Sequence, residues 1–285
     1  MLPKKTGGSM LKNFPILTIL FLLILSNVCY AGSKEVKIQL IRNATMKITY
    51  GGQTILTDPM LSPKDAIRSF AGIAKNPTVE LPIAAKDIPG DVNCVIVTHT
   101  HPDHFDTAAA SLIRKDMPLF CQPGDDSNLK MAGFTNVSPV EKQCVWNGIT
   151  IIRTGGKHGS GKILERMGNV SGIVLQAEGE PTVYWVGDSI LCDEVKKTVE
   201  KFNPDIIITH SGGAKIPGFD PIIMDAQQTV DIANLAPKSK IVAIHMESLD
   251  HCGVTRKIMR DAADKAGITQ ERLIIPKDGE TISLK

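Results

Sequence analysis

Thr98-His99-Thr100-His101-Pro102-Asp103-His104 follows the apolar run Val95-Ile96-Val97, and the fold turns on how this stretch is read. The run is short, β-branched and bounded by polar residues, the pattern of a buried strand. In extended backbone, side chains two apart share a face, so His99, His101 and Asp103 can converge on one point. Pro102 bends the exit, and a helix is predicted to open at Asp106 and run through Ala108-Ala109-Ala110 to Arg114. Three imidazoles and a carboxylate within six residues suit zinc or a similar divalent ion. A polar loop with solvated histidines accounts for one such residue, but poorly for three in alternating register at the end of a buried strand.

Working outward, residues 37–40, 46–50 and 54–57 predict an antiparallel meander around Gly51-Gly52, closed by Asp58-Pro59. Residues 60–90 carry four prolines and read as a long loop with one helical turn near residues 66–70. Downstream, strands are expected at 118–121, near Val137, and at 150–153, 171–176, 182–186, 205–209, 240–244, 272–275 and 281–284. Helices are expected at 127–132, 190–202, 224–235 and 254–266. Strands lead each half and helices follow, with no linker between the halves. That order predicts an α/β fold, a four-layer αββα sandwich of two packed sheets with helices outside, as a single domain over residues 32–285.

With 42% hydrophobic and 22% charged residues, the 285-residue chain has the composition of a globular protein. The first 31 residues supply Lys4, Lys5 and Lys12 and no acids, so the remainder holds 29 basic against 30 acidic residues. The formal charge of +2 is therefore no nucleic-acid footprint. After those lysines come an apolar run over residues 14–25 and then Ser26-Asn27-Val28-Cys29-Tyr30-Ala31. This predicts a signal peptide, residues 1–31, cleaved after Ala31, with Met10 an alternative start. The run is shorter than the ~20 residues of a spanning helix, and bulky Val28 disfavours a lipid on Cys29. A periplasmic or secreted protein, without stable membrane insertion after processing, is expected. Cys94, Cys121, Cys144, Cys192 and Cys252 remain, an odd number without paired short spacing, so neither a disulfide framework nor a zinc ribbon is indicated.

Further polar residues sit just past apolar strands: His158, Asp188 in Gly187-Asp188, His210 and His245. Each alone is commonly a satisfied core or surface residue. Four in succession favour one shared sheet edge, where active sites of layered α/β folds collect.

At this point the chain resembles the metallo-β-lactamase superfamily. Its His-x-His-x-Asp-His pattern is present as His99-Thr100-His101-Pro102-Asp103-His104, and its later ligands match His158, Asp188 and His245. Thr57-Asp58-Pro59 looks like the branch that includes L-ascorbate-6-phosphate lactonase and N-acyl-phosphatidylethanolamine phospholipase. A histidine at 101, where the flavodiiron branch usually has glutamate, argues against oxygen reduction. The resemblance implies two divalent ions, zinc first, with manganese or iron as alternatives. His99, His101 and His158 would hold one, Asp103, His104 and His245 the other, and Asp188 would bridge. Asp58 would either fix a ligand imidazole by hydrogen bond or simply end the turn before Pro59.

The activity so implied is that of an exported, dinuclear metal-dependent hydrolase directing a metal-bridging hydroxide at a lactone, ester or phosphodiester, a small-molecule substrate. Asp103 would serve catalysis as well as the metal. The rival is a family member that binds metal without turnover; the complete ligand set argues against it. His210, the strand-end histidine that the pattern leaves spare, is expected to face the metals and give a proton or hydrogen bond to the substrate, or else only to brace its loop. His251 and Cys252 can line the pocket. Gly156-Lys157-His158-Gly159-Ser160-Gly161-Lys162 approaches a phosphate-binding loop, but Ile163 replaces the magnesium-binding hydroxyl and Gly168 cuts short any following helix. Lys157, Lys162 and Arg166 there either face an anionic substrate or are solvated.

Overall fold

Alternating burial along residues 36–57 builds β1 (Val36–Arg42), β2 (Thr45–Tyr50) and β3 (Gln53–Thr57), which pair antiparallel as the sequence pattern predicts. The computed structural model describes residues 1–4 and 35–285; the expected leader, beyond its first four residues, lies outside them. Gly32–Lys285 forms a unit of its own. The run before the histidines is β4 (Cys94–Val97), buried throughout. The chain continues through α1 (Thr107–Leu112), β5 (Leu119–Cys121), α2 (Asp126–Met131) and β6 (Val137–Pro139). The second half holds β7 (Gln143–Trp146), β8 (Ile149–Thr154), α3 (Ile163–Met167), β9 (Gly172–Gln176) and β10 (Val183–Trp185). It ends with α4 (Asp193–Phe202), β11 (Ile206–His210), α5 (Ala226–Leu235), β12 (Lys240–Ile244), α6 (Arg256–Lys265), β13 (Leu273–Ile274) and β14 (Thr281–Leu284).

Two seven-stranded sheets result, ordered β14-β1-β2-β3-β4-β5-β6 and β13-β12-β11-β10-β9-β8-β7. Ile38, Ile48 and Ile96 of the first meet Trp185, Ile208 and Val242 of the second in a shared core. On the outer face of the first sheet, Val95, Val97 and Leu119 pack beneath α1 and α2 through Ala109, Ile113 and Leu129. Ile207, Ile241 and Ala243 pack beneath α4, α5 and α6 on the outer face of the second. The architecture is the αββα sandwich. No helix among the described residues is long and apolar enough to cross a membrane.

Three details differ from expectation. Residues 66–70 form no helical turn; Ile67 instead bridges Asn76 in antiparallel fashion, and the helical turn lies at Ala85–Asp87. The helix after the histidines stops at Leu112. The edge strand β7 and the five-residue α3 were not foreseen, because an exposed edge and a single short turn leave little hydrophobic period to read.

The long 60–90 loop is pinned from below. Arg42, fully buried, donates to the carbonyls of Met60 at 3.0 Å, Ser62 at 2.8 Å and Val79 at 3.1 Å. Burial lowers its pKa to about 10, with Asp106, Asp278 and Glu80 opposing, and the ring of acceptors keeps the guanidinium in place. Replacing it leaves those carbonyls unmet in the interior. Arg42→Leu is expected to destabilise the fold by about 2–4 kcal/mol, read as a lower urea midpoint at unchanged slope.

Candidate metal centre

The strands β3, β4, β8, β10, β11 and β12 deliver polar residues to one edge of the sandwich. Asp58 follows β3 with a left-handed φ of 36°, and its backbone N–H donates to Ile96 of β4 at 3.0 Å. Its carboxylate accepts from the Thr98 backbone N–H and hydroxyl, both at 2.7 Å, and from His104 Nδ1 at 2.7 Å. That last bond orients the His104 ring and turns Nε2 inward, 3.1 Å from Asp188 Oδ2.

His99, His101 and His158 bring one nitrogen each to within 4.8 Å of one another. His99 Nδ1 donates to the Thr98 hydroxyl at 3.1 Å, and His158 Nδ1 donates to the Ile222 carbonyl at 2.9 Å. The Nε2 atoms of His99 and His158 are thereby turned to the common point, where His101 presents Nδ1, 3.0 Å from His99 Nε2. His104, Asp188, His210 and His245 form a second group under the same distance limit.

Asp188 faces both groups. Its Oδ2 lies 3.1 Å from His104 Nε2, 3.5 Å from His158 Nε2 and 3.9 Å from His99 Nε2, and its Oδ1 lies 3.6 Å from His245 Nε2. Asp103 Oδ2 stands 3.5 Å from His104 Nε2 and 3.6 Å from His245 Nε2. Burial alone would lower the pKa of His104 and raise those of Asp103 and Asp188. Mutual attraction wins: His104 is held well above its ordinary value and His245 at about 10, while both carboxylates are held low. Burial keeps His99 and His158 below the ordinary imidazole range, in the neutral form that binds metal.

The donor set suits divalent cations. His245 Nε2 is buried without a hydrogen-bond partner, while 3.6 Å from each of two carboxylates. Such an atom is costly unless a ligand meets it. His99, His101 and His158 can hold one ion, and Asp103, His104 and His245 a second, with Asp188 reaching both.

His210, expected to face the metals and reach the substrate or else to brace its loop, is fully buried in β11 and stands in the second group. The Trp185 indole N–H, which can only donate, gives its hydrogen to His210 Nε2 at 2.9 Å, so the ring proton sits on Nδ1 and goes to Asp188 Oδ1 at 2.5 Å. With both nitrogens engaged, His210 orients Asp188. Asn43 carries a second brace that sequence reading missed: its side chain donates to the Asp103 carbonyl at 3.1 Å, and its own carbonyl accepts from the His245 N–H at 3.1 Å. Neither Asn43 nor Trp185 stands in a motif, so only the fold reveals them. Gly212 is needed here, since a Cβ would collide with the His245 carbonyl.

A cavity of about 350 Å³ opens onto the site, with His101, Asp103, His158 and Asp188 in its wall beside Arg68 and Phe70. Arg166 also lines it, whereas Lys157 faces Glu194 at 3.8 Å and Lys162 is exposed ahead of α3. The glycine-rich stretch leads into five helical residues ended by Gly168 at φ 73°, too short a helix for a nucleotide loop.

The profile of the β-lactamase superfamily domain matches residues 53–246. The chain belongs to the metallo-β-lactamase superfamily. It is 32% identical over 247 residues to the UPF0173 protein YddR of Bacillus subtilis strain 168, a match covering 85% of this chain and 97% of that protein. Among solved structures, a possible metal-dependent hydrolase from Veillonella parvula DSM 2008 superposes with a TM-score of 0.84 at 36% identity, covering 88% of this chain and all of the other. An isothiocyanate hydrolase from Delia radicum gut bacteria gives 0.82 at 36% identity, covering 86% and 98%. The superfamily member described here is a metal-dependent hydrolase.

Because His210 supports a carboxylate shared by both groups, His210→Ala is expected to weaken zinc binding by about 10- to 100-fold. Competition against a chromogenic chelator measures this; unchanged affinity would return His210 to the substrate side.

Proposed function

We propose that this hydrolase is dinuclear and acts on small carbon electrophiles, with isothiocyanates the first class to try. Asp188, reaching both imidazole groups from one buried carboxylate, carries the dinuclear reading. The substrate reading rests on the likeness to the isothiocyanate hydrolase over 86% of the chain and on the cavity, where Phe70, Met167, Ile216 and Ile222 offer an apolar wall. Bound divalent ions supply a water acidified towards neutrality and a Lewis acid for developing negative charge. The chain does the rest. Asp103, in the cavity wall, accepts the proton of the attacking water through the oxygen not turned to His104 and His245; Asp58 and Thr98 keep His104 and His99 aimed; Phe70, Met167, Ile216 and Ile222 shield one side of the cavity from bulk water. Arg68 and Arg166 in the same wall favour a second reading, an anionic lactone, ester or phosphodiester.

Reloaded protein should hold about two zinc ions per chain and hydrolyse benzyl isothiocyanate faster than a lactone, p-nitrophenyl acetate or bis-p-nitrophenyl phosphate. Asp188→Ala should lose both metal and rate. One ion or fewer by elemental analysis removes the dinuclear reading. Full metal with no turnover across the panel indicates a binding protein.

We further propose that residues 1–31 are removed on export and that residues 32–285 act in the periplasm or outside the cell. The sequence pattern of the leader supports this. Intact-mass measurement of protein from the native envelope should find a chain beginning near Gly32; an intact leader on cytoplasmic protein refutes it.

A further inference from the structure

We infer that His251 is a catalytic residue of this hydrolase, its ring donating a hydrogen bond to the substrate heteroatom that gains negative charge as water adds. The inference rests on the hydrolase reading of the adjoining centre but not on the isothiocyanate assignment.

His251 reaches the site from outside the ligand set. It lines the 350 Å³ cavity together with Asp103, Asp188, His101 and His158, and it belongs to neither metal-competent group. It also lines a neighbouring cavity of about 760 Å³ with Ala71, Ile73 and Lys215. The ring therefore stands between the centre and the outer space from which a substrate tail would extend.

Its position is built. The His251 carbonyl accepts from the Lys215 N–H at 2.9 Å. The preceding residue, Asp250, gathers the backbone N–H groups of Phe70 at 3.0 Å, Ala71 at 3.2 Å, Ile73 at 3.2 Å and Ala74 at 3.3 Å, together with the Ser69 hydroxyl and the Asn76 amide at 2.9 Å. These bonds draw residues 69–76 over the 250–252 segment. Phe70 then presses edge-on against the imidazole, centroids 5.1 Å apart at 77°. A ring held this way has few rotamers left.

It is also unspent. His251 Nδ1 is buried without a hydrogen-bond partner. His99, His104 and His210 each have both nitrogens engaged by the protein, and His158 has one. Burial, only partly opposed by Asp103, keeps the His251 ring neutral near pH 7, with one N–H to give and one lone pair. A preorganised neutral donor in the wall of this cavity stabilises a developing anion without reorganising.

His251→Ala should lower kcat about 10²-fold with KM changed little and zinc content intact, on whichever member of the substrate panel the wild type turns over. His251→Gln, which keeps a donor, should recover a substantial part of that loss. A kcat within twofold of wild type overturns the inference, as does loss of zinc, which would make His251 a ligand. A second arm needs no turnover: titrating thiocyanate, a linear N–C–S ion, into zinc-loaded protein by calorimetry should show at least fivefold weaker binding to the alanine variant. Equal affinity overturns the inference even if the wild type hydrolyses nothing on the panel, an outcome that would overturn the hydrolase reading separately. Should the alanine variant fail to fold, His251→Leu against His251→Gln makes the same comparison.

Discussion

The buried carboxylate of Asp188 is the point on which the centre depends. It follows β10 through Gly187, whose φ of 71° and lack of side chain let the turn pass close to the Ser171 carbonyl. Around it stand the rings of His99, His104, His158, His210 and His245, all within 3.9 Å of one of its oxygens. An isolated carboxylate so deep would be driven to protonate. Here its neighbours outweigh desolvation and hold its pKa low, so the negative charge is a fixed feature of the site. Charge there can be balanced only by protons on the imidazoles or by cations, and the pairing of buried groups must be nearly complete for the sheet edge to keep its shape.

Aim within this cluster is set by the second nitrogen of each ring. Asp58 takes one nitrogen of His104, Thr98 one of His99 and the Ile222 carbonyl one of His158, and in each case the other nitrogen looks inward, that of His104 to Asp188 Oδ2 at 3.1 Å and that of His99 to His101 Nδ1 at 3.0 Å. Three separate segments, after β3, β4 and β11, supply these partners, so the geometry is a product of the assembled sandwich. Backbone conformation contributes too. Asp58 and His245, at the ends of β3 and β12, and Asn43, in the β1–β2 turn, hold left-handed φ values of 36°, 63° and 59°. Such conformations are unfavourable for residues with side chains and persist where surrounding bonds over-determine them. Asn43 shows how: one side-chain bond to Asp103 and one main-chain bond from His245 tie a ligand-bearing loop of each sheet to a single turn.

Much of this was legible in the sequence, for a reason that also marks the limit. Strand periodicity and the alternation of His99, His101 and Asp103 are local properties, and the meander, β4 and most helices follow from them. The residues past the ends of apolar strands could be assigned to one edge because parallel strands in a layered sheet bring their carboxyl ends together. Which of those residues turn inward is not local. His210 and His158 follow similar apolar runs, yet Trp185 closes one ring from inside the core, whereas the Ile222 carbonyl leaves the other open. Asn43 lies in a turn with no periodic signal, 60 residues from the carbonyl it holds. The edge strand β7 and the five-residue α3 are too short for a hydrophobic period to show, although Cys144 and Trp146 of one and Ile163 of the other pack inward.

The segment over residues 60–90 has little regular structure and yet supplies Arg68 and Phe70 to the cavity. A loop of that length in a compact fold is usually either mobile or held for function. Here it is held at two places by single charged side chains: Arg42 from beneath, through three carbonyls, and Asp250 from the far side, through a run of N–H donors. Arg42 lies in β1 and recognises main chain alone, whereas Asp250, in the loop after β12, takes four main-chain N–H groups together with the Ser69 hydroxyl and the Asn76 amide. Substitutions at Arg68 or Phe70 therefore leave the anchoring bonds in place. The consequence is a division of labour between the sheets, which fix the metal-competent edge, and a backbone-stapled loop whose side chains set what the cavity admits.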